Sequence, residues 1–501
     1  MKKIICLIIC LAAFAACGII SAFAIPDKPF DGEVARTTET LYEGVTCTHI
    51  TLSADSKYKE QEIWVVEFDP TRADLKVAVT GGGEYSNKLV TTPKTMSNYA
   101  AANPGLQPIS AINGDLWMVS YAHARIVGSG TNYGGCKDEV VTHSLTVPRG
   151  LDMYDGEIIS SPHTSAETPF EGAFDAFGIT PDGRTVLGTP TLKINCKNLT
   201  QGSAEVKLTG LNRLPANKAI MLYSDKGPAD NAALDDAYEI VIDCDYDYCI
   251  KQGAVIKGKI TAICKEGDEN PKMQPNRLIL TARGDRYVAK VADYKIGDEL
   301  EFSFELKGTK TDNAIWQEVT NIVGGHIILV RNGKALGNGD ATKYPTSIIG
   351  NTADGKIMFV TSDGRQPGYA QGLMIQDMPK FCVALGYENC FLLDGGGSAT
   401  MANYNAETGN YELVNHPSDK KEDGSSGQVR TVVNSIILSY VKPEPDPTEE
   451  PTDEPVPTDA PVVTPEPAPK KGCGSAVTTV IPLLAAVPVA LLLRKKKETL
   501  R

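Results

Sequence analysis

Several patterns that assign a function directly are missing from this 501-residue sequence. Its 12 cysteines show no C-x-x-C spacing, which argues against a zinc site. No Gly-Lys-Ser/Thr follows its glycine-rich segment and it has no dinucleotide fingerprint, so the common nucleotide-phosphate loops are excluded. Acidic residues outnumber basic ones by 62 to 49, the net charge is −13 and no basic patch occurs, which argues against a nucleic-acid partner.

A calcium loop is also missing, although one segment has its beginning. Asp243, Asp245 and Asp247 have the alternate spacing of calcium-binding carboxylates. However, Tyr248 stands where the loop needs its turn glycine, and Ala254 stands where it needs its closing glutamate. We therefore exclude an EF-hand site here.

The N-terminal residues 1–24 have the composition of a secretory signal peptide. Two lysines precede an apolar stretch, and small residues precede Ala24, where we expect cleavage. An uncleaved N-terminal membrane anchor is the alternative. The surroundings of Cys17 fit a lipoprotein signal only loosely.

The C-terminal residues predict a tether to a membrane. Residues 441–472 are rich in Pro, Glu, Asp and Thr, a composition that forms an extended, disordered linker. The apolar run 475–493 is long enough to cross a bilayer as a helix, and the basic residues 494–501 are expected to remain inside the cell. This tail resembles the anchors of Firmicute surface proteins, without a Leu-Pro-x-Thr-Gly sorting motif. We expect an exported protein on the extracellular face of a Gram-positive cell membrane, held by a single C-terminal span.

Eight cysteines lie between these two ends, and an even number in an exported domain permits disulfides. The pairs closest in sequence are Cys244–Cys249 and Cys382–Cys390, but the pairing cannot be read from spacing. The eight are Cys47, Cys136, Cys196, Cys244, Cys249, Cys264, Cys382 and Cys390.

The body of the chain predicts an α+β fold, with mixed sheets, packed helices and a β-rich insertion. Alternating residues and turn signals suggest strands throughout, and the helical patterns are 94–102 and 373–385. The predicted divisions are an N-terminal extension (25–60), a main domain in two parts (61–184 and 316–440) and an insertion (185–315).

The segment from Leu392 to Met401 contains the best candidate site. A buried strand delivers Asp394 to its end, and three glycines and a hydroxyl residue follow. Glycines allow close backbone approach, and successive N–H groups can bind an anion. The alternative is an ordinary tight turn. The residues after Asp394 are Gly395, Gly396, Gly397 and Ser398.

Polar residues also mark other strand ends, where binding residues tend to gather. Any one of these ends could be a simple turn, and Arg430 could form a surface salt bridge. Together they favour an assembled site. The candidates are Asn113 and Asp115, Gly325 and His326, Asp363 and Arg365, and Arg430 before the last strand.

These segments resemble successive blocks of the phosphodiester glycosidase family. The blocks read INGD, GGHIILVRNGK, TSDGR, LLDGGGSATM and RTVVNSIIL, and the resemblance extends over about residues 60–440. NRLPANKAIMLYSDKG is similar to a β-rich insertion in bacterial members. One departure is that Lys343 stands near the position where the family tends to have an arginine, which puts its phosphate contact in doubt.

The resemblance implies hydrolysis of the bond between an anomeric carbon and a phosphodiester oxygen, with N-acetylglucosamine as the expected type of sugar. Asp394 would be the leading catalytic carboxylate, with Asp363 or Asp115 as the second. Asn113 and His326 would orient sugar or water. The phosphate would contact Arg365, Gly395, Gly396, Gly397, Ser398 and Arg430. Gly325 would also bind the substrate. We expect no required cofactor, although calcium or magnesium could bind clustered carboxylates.

Two other classes of function remain open. One is a surface glycan-binding or adhesion protein with little catalytic activity, which suits a tethered architecture. The other is a hydrolase that processes exopolysaccharide. Sugar release, as opposed to binding alone, would distinguish them.

Overall fold

Strands dominate the described part of this protein: a computed structural model places 47% of those residues in strands and 8% in helices. It describes residues 25–82, 89–118, 147–162, 174–213, 218–227, 237–324, 326–337 and 339–443. The predicted signal peptide, the span 475–493 and Gly325 lie outside these residues. Within the described part of the chain, no helix has the length and apolar character that crossing a membrane requires.

The predicted α+β class is therefore wrong, and the fold is β-rich. Nearly all neighbouring strands pair antiparallel, so short turns connect them and crossover helices are not needed. The helix predicted over 373–385 is shorter, because Leu373–Met374 forms a strand and the helix begins at Met378. It ends at Gly386, whose φ of 105° suits a residue without a side chain.

The elements of the N-terminal third are, in chain order, β1 Glu33–Tyr42, β2 Val45–Leu52, β3 Gln61–Phe68, β4 Leu75–Thr80, α1 Thr92–Ala102, β5 Leu106–Asn113, β6 Trp117–Met118, β7 Val147–Pro148, β8 Asp152–Tyr154 and β9 Glu157–Ser160. The middle third contains β10 Ala176–Ile179, β11 Thr185–Gly188, β12 Thr191–Asn198, β13 Val206–Leu208, β14 Gly210–Leu211, β15 Ala219–Ser224, β16 Tyr238–Asp243, β17 Val255–Cys264, β18 Arg277–Arg283, α2 Asp285–Val288 and β19 Glu299–Lys307.

The remaining elements are α3 Asn313–Trp316, β20 Asn321–Gly324, β21 Ile328–Arg331, β22 Lys334–Ala335, β23 Lys343–Tyr344, β24 Thr346–Thr352, β25 Ile357–Ser362, β26 Leu373–Met374, α4 Met378–Leu385, β27 Tyr387–Leu392, β28 Met401–Asn405, β29 Asn410–Leu413, β30 Asp419–Lys420, β31 Ser426–Gln428 and β32 Ser435–Val441. A 3₁₀ turn, Gly396–Ser398, lies between β27 and β28.

Two sheets pack face to face and position the candidate site. The first has the order β1-β2-β3-β25-β24-β27-β21-β22, and the second has the order β29-β28-β5-β32-β4. Phe359 and Phe391 from the first sheet share a buried core with Ile112 and Ile436 from the second. The outer face of the first sheet packs against α4, and that of the second against α1.

Strands between Thr191 and Lys307 form another sheet, of order β13-β12-β19-β17-β16-β18-β15-β14. Its alternating apolar residues bury a core with Trp316 and with residues of a five-stranded sheet, β11-β10-β20-β8-β9. Residues 287–291 have a strand-like sequence pattern, but Tyr287 and Val288 form the end of α2.

All seven described cysteines of the body have free thiols. Neither Cys244–Cys249 nor Cys382–Cys390 is joined, and Cys136 lies outside the described residues. Most of these thiols are buried, and burial raises the pKa of Cys47 and of Cys196 to about 12. Such thiols remain protonated and behave as small apolar side chains.

Candidate functional site

A cavity of about 410 Å³ lies where β27 ends and β24 begins. Seven of the residues predicted for the site line it. They are His326, Arg365, Asp394, Gly395, Gly396, Gly397 and Arg430. Asn113, Asp115, Asp363 and Ser398 are buried outside this lining, and Gly325 is outside the described residues.

Asp394 lines the cavity although only 8% of the residue is exposed. Burial raises the pKa of Asp394 to about 7, while a hydrogen bond with Ser398 and the nearby charge of Arg430 limit the increase. Its backbone N–H donates to the carbonyl of Gly114 at 2.9 Å. Near neutral pH this carboxyl group can therefore accept or release a proton.

The glycine-rich segment forms a loop that approaches the guanidinium of Arg365. Gly396 has a φ of +65°, and a Cβ added there would lie 3.1 Å from Arg365 Nη1. Arg365 itself has a φ of 58°, and its guanidinium lies 5.1 Å from the ring centre of Tyr344. Because a left-handed backbone costs a non-glycine residue about 1 kcal/mol or more, surrounding contacts must hold Arg365 in place.

A second guanidinium, from Arg430, borders the same loop. Asp419 accepts from Arg430 Nε at 2.7 Å and from Nη2 at 2.8 Å, and Nη1 donates to Ser398 Oγ at 3.4 Å. A Cβ at Gly397 would lie 2.0 Å from Asp419 Oδ1 and 2.4 Å from Arg430 Nη2. Only glycine leaves room for this ion pair beside the loop.

Asn113 fixes the loop from behind rather than from within the cavity. Its Nδ2 donates to the carbonyl of Asp394 at 2.8 Å. Its Oδ1 accepts from Ser347 Oγ at 2.6 Å and from the N–H of Thr400 at 3.0 Å. Both polar atoms of this buried amide have partners within the protein, so Asn113 holds the loop and does not face a substrate in the cavity.

Asp115 belongs to a separate buried network. Its Oδ2 accepts from the N–H of Gly150 at 2.7 Å, and the side chain of Asn434 joins Asp115 to Asp152. Burial is the main cause that raises the pKa of Asp115 well above its usual range, and the charge of Asp152 adds to it. Burial also raises the pKa of Asp152 to about 7, and Arg213 opposes the increase.

Asp363 is buried beside the cavity, with both carboxylate oxygens engaged by donors from Tyr369, Asn415 and His416. Burial raises the pKa of Asp363 to about 6, and these hydrogen bonds oppose the increase. Asp394 lines the cavity, whereas the carboxylate of Asp363 contacts donors within the protein.

His326 lines the cavity as a neutral imidazole. Its Nδ1 lies 3.3 Å from the carbonyl of Leu393, which accepts only if Nδ1 carries the proton. Burial is the main cause that lowers the pKa of His326 to about 4; the hydrogen bond with Leu393 opposes this decrease, and the charge of Arg149 contributes to it. The ring can thus offer Nε2 as a hydrogen-bond acceptor.

Lys343, noted in the sequence for its position, does not line the cavity. Its ammonium donates to the side-chain oxygen of Gln371. The neighbouring Tyr344 lines the cavity instead, where it supports Arg365. Asp340 also lines the cavity, and a hydrogen bond from the N–H of Thr342 keeps the pKa of Asp340 below its usual range.

Sequence reasoning missed Tyr344, Asp419 and Asn434. Asn434 lies in the RTVVNSIIL block and could have been found there as a polar residue directly before an apolar strand. Asp419 stands in a polar stretch of similar residues, and nothing in the sequence distinguishes it. In the parts of the chain that the structure describes, no three His, Cys, Asp or Glu side chains gather as a metal site would require.

Part of the chain that carries this site matches the model of a known protein family. The phosphodiester glycosidase (NAGPA) family model matches residues 251–439, which include Arg365, Asp394 and Arg430. The resemblance noted in the sequence is confirmed for this segment. An uncharacterised SPbeta prophage-derived protein, YomE of Bacillus subtilis, is 36% identical over 104 residues. That match covers 21% of this chain and only 14% of the relative.

Two solved structures share the fold at low identity. A hypothetical protein from Synechocystis superposes with a TM-score of 0.57 at 16% identity, over 81% of this chain and 64% of that one. A protein from Burkholderia pseudomallei superposes with a TM-score of 0.58 at 16% identity, over 81% and 97%. The catalytic domain of zebrafish N-acetylglucosamine-1-phosphodiester alpha-N-acetylglucosaminidase matches with a TM-score of 0.36 at 12% identity, over 82% and 88%.

Proposed function

We propose that this chain, whose residues 251–439 carry a phosphodiester glycosidase domain, hydrolyses sugar-1-phosphodiesters in the cavity beside Asp394. One observation carries the proposal: a buried carboxyl group and two guanidiniums line one cavity around a glycine loop. These are the groups that the reaction needs, a proton acceptor near the sugar and positive charge around the phosphate.

The phosphate would bind between Arg365 and Arg430. Guanidiniums donate two parallel hydrogen bonds to phosphate oxygens, and Tyr344 and Asp419 hold them in a fixed orientation. Gly395 also lines the cavity, and because it has no side chain, the phosphate could come close to its backbone. Arg365 and Arg430 would balance the charge of the diester and stabilise the phosphate that leaves, while Asp419 offsets part of the charge of Arg430.

The sugar would occupy the part of the cavity lined by Leu116, Ile375 and Met378. Apolar side chains pack against the C–H faces of a sugar ring, while a few polar groups fix its orientation. The neutral imidazole of His326 would accept a hydrogen bond from a sugar hydroxyl or amide N–H. We propose N-acetylglucosamine as the sugar, in keeping with the family.

The reaction would proceed by attack of water on the anomeric carbon. The oxygen of water bonds to that carbon, its proton passes to the carboxylate of Asp394, and the bond from carbon to the phosphate oxygen breaks. The phosphate takes the bonding electron pair and leaves as a monoester. Because this leaving group is a weak base, it needs no proton donor, and a single base in the cavity suffices.

We also propose that the enzyme acts outside the cell, tethered by residues 475–493 after removal of residues 1–24. The support is the sequence pattern at each end. Protease treatment of intact cells would test this, because an exposed domain is digested and a cytoplasmic one is protected.

An assay with the purified chain tests the activity. The substrates are UDP-N-acetylglucosamine and the methyl diester of N-acetylglucosamine-1-phosphate, and the product measured is free sugar. We expect Asp394→Asn to lower the rate by about 100-fold or more, because a general base contributes 10²–10⁴-fold. Asp245→Asn, at an exposed position in the strand-rich insertion, should behave as wild type. Sugar binding without release by the wild-type chain would instead support the glycan-binding alternative.

A further inference from the structure

We propose that Asp363 is a positioning residue, whose carboxylate ties the loop of Arg365 to the chain that follows the glycine loop. Asp363 would thereby set the distance between the loop of Arg365 and the glycine loop, which together bind phosphate in the proposed function. This inference rests on the proposed function, because it assigns a structural cause to the phosphate affinity of the same cavity.

Asp363 accepts hydrogen bonds from residues 415 and 416. The N–H of His416 donates to both oxygens of Asp363, at 3.1 Å to Oδ1 and 2.9 Å to Oδ2. Asn415 Nδ2 donates to Oδ1 at 2.9 Å. Asp363 is 1% exposed, so these hydrogen bonds form away from water and removing the acceptor leaves buried donors unpaired.

The side chain of Asn415 also contacts the residues that follow the glycine loop. Its Nδ2 also donates to the carbonyl of Ala399 at 3.0 Å, and its Oδ1 accepts from the N–H of Met401 at 2.9 Å. Ala399 directly follows the turn Gly396–Ser398, and Met401 begins β28. One side chain therefore fastens the end of the glycine loop to Asp363.

A second group of hydrogen bonds holds the loop that carries Arg365. Tyr369 donates from its hydroxyl group to Asp363 Oδ2 at 2.9 Å. Gln366 Nε2 donates to the carbonyl of His416 at 2.9 Å, and the Gln366 side-chain oxygen lies 2.7 Å from His416 Nδ1. Contacts on both sides of Arg365 thus hold it in its left-handed backbone conformation.

This arrangement argues against Asp363 as the second catalytic carboxylate. Its two oxygens already accept from Tyr369, Asn415 and His416, and the residue is not among those that line the cavity. An acceptor engaged in this way fixes the parts around it, as supporting residues do in other enzymes.

Isothermal titration of the full chain with inorganic phosphate tests the inference. We expect Asp363→Asn to weaken phosphate binding by about 10-fold or more, because an amide replaces an acceptor oxygen with a donor. Tyr369→Phe, which removes one donor and keeps the ring, should weaken binding less. The control is Asp243→Asn in β16. Like Asp363, Asp243 accepts from a side-chain hydroxyl, that of Thr261, and it also accepts from the guanidinium of Arg277.

A double-mutant cycle with Arg365→Gln separates positioning from general destabilisation. If Asp363 acts through Arg365, Asp363→Asn should weaken phosphate binding less than twofold further in the Arg365→Gln background. Equal losses in both backgrounds would overturn the inference. If Asp363→Asn does not fold, the cycle of Tyr369→Phe with Arg365→Gln decides in the same way.

The outcomes also separate this inference from the proposed function. Wild-type phosphate affinity in Asp363→Asn together with lost sugar release would show a role in the reaction itself and would overturn positioning. Failure of the wild-type chain to bind phosphate and to release sugar would overturn the proposed function, and with it the inference.

Discussion

The side-chain amide of Asn113 donates a hydrogen bond of 2.8 Å to the backbone carbonyl of Asp394, 281 positions further along the chain. Asn113 ends β5 in one sheet, and Asp394 follows β27 in the other. The same amide oxygen accepts from the N–H of Thr400 beyond the glycine loop. One buried side chain therefore joins both sheets and both ends of the loop.

Asn113→Ala should lower both stability and activity. It leaves the carbonyl of Asp394 and the N–H of Thr400 buried without this partner, which costs about 1–3 kcal/mol for each group. We expect the free energy of unfolding to fall by about 2 kcal/mol or more and sugar release to fall about 10-fold. Urea denaturation and the sugar-release assay measure these effects. The exposed Asn410 provides the control Asn410→Ala, and an unchanged rate in Asn113→Ala would contradict the role assigned to Asn113.

Gly397→Ala should affect phosphate binding more than folding. The new Cβ would lie 2.0 Å from Asp419 Oδ1 and 2.4 Å from Arg430 Nη2, so the ion pair must move. Since charged hydrogen bonds are worth about 1.5–3 kcal/mol, phosphate affinity should fall about 10- to 100-fold. Titration calorimetry measures this. Gly105→Ala is the matched control because nothing lies within 4 Å of its added Cβ. Equal affinities in the two variants would refute the role of the ion pair.

The rate should increase with pH as Asp394 ionises. Burial raises the pKa of Asp394 to about 7, and the proposed base must be ionised to accept a proton from water. We expect kcat/KM in the free enzyme to be about 100-fold lower at pH 5 than on a plateau above neutral pH. Asp152 titrates in the same range, and Asp152→Asn should leave this ascending limb in place. A profile that is flat down to pH 5 would exclude Asp394 as the base.

Stability should change with pH in the opposite direction. The folded pKa of Asp394, about 7, is above the ordinary value of 3.8, so the folded state binds the proton more tightly than the unfolded state. The resulting stabilisation is present in acid and is lost as pH increases through about 7. We expect the unfolding free energy to fall between pH 5 and pH 8 by up to about 3 kcal/mol less in Asp394→Asn than in the wild type. Urea denaturation at both pH values measures it, and an unchanged loss would contradict the raised pKa.

Much of the site could be predicted from sequence because strand ends carry local signals. Asp394 and its glycines stand where a buried apolar run stops, and Arg365 and Arg430 lie beside similar stops. The fold class could not be predicted in the same way. Apolar runs separated by turns are compatible either with parallel strands joined by crossover helices or with antiparallel neighbours. The antiparallel pairing of β24 with both β25 and β27 shows that this sheet is of the second kind.

By itself the sequence determined where polar residues interrupt strands, since that depends on neighbours along the chain. Only the tertiary structure decided which carboxylates face a cavity. Asp394, Asp363 and Asp115 all follow buried strands, yet only Asp394 lines the cavity. Two of the three residues that donate to Asp363, Asn415 and His416, lie 52 and 53 positions away, and Asn434, which accepts from the N–H of Asp115, is 319 positions away. Packing of distant segments creates these contacts, and no local pattern contains them.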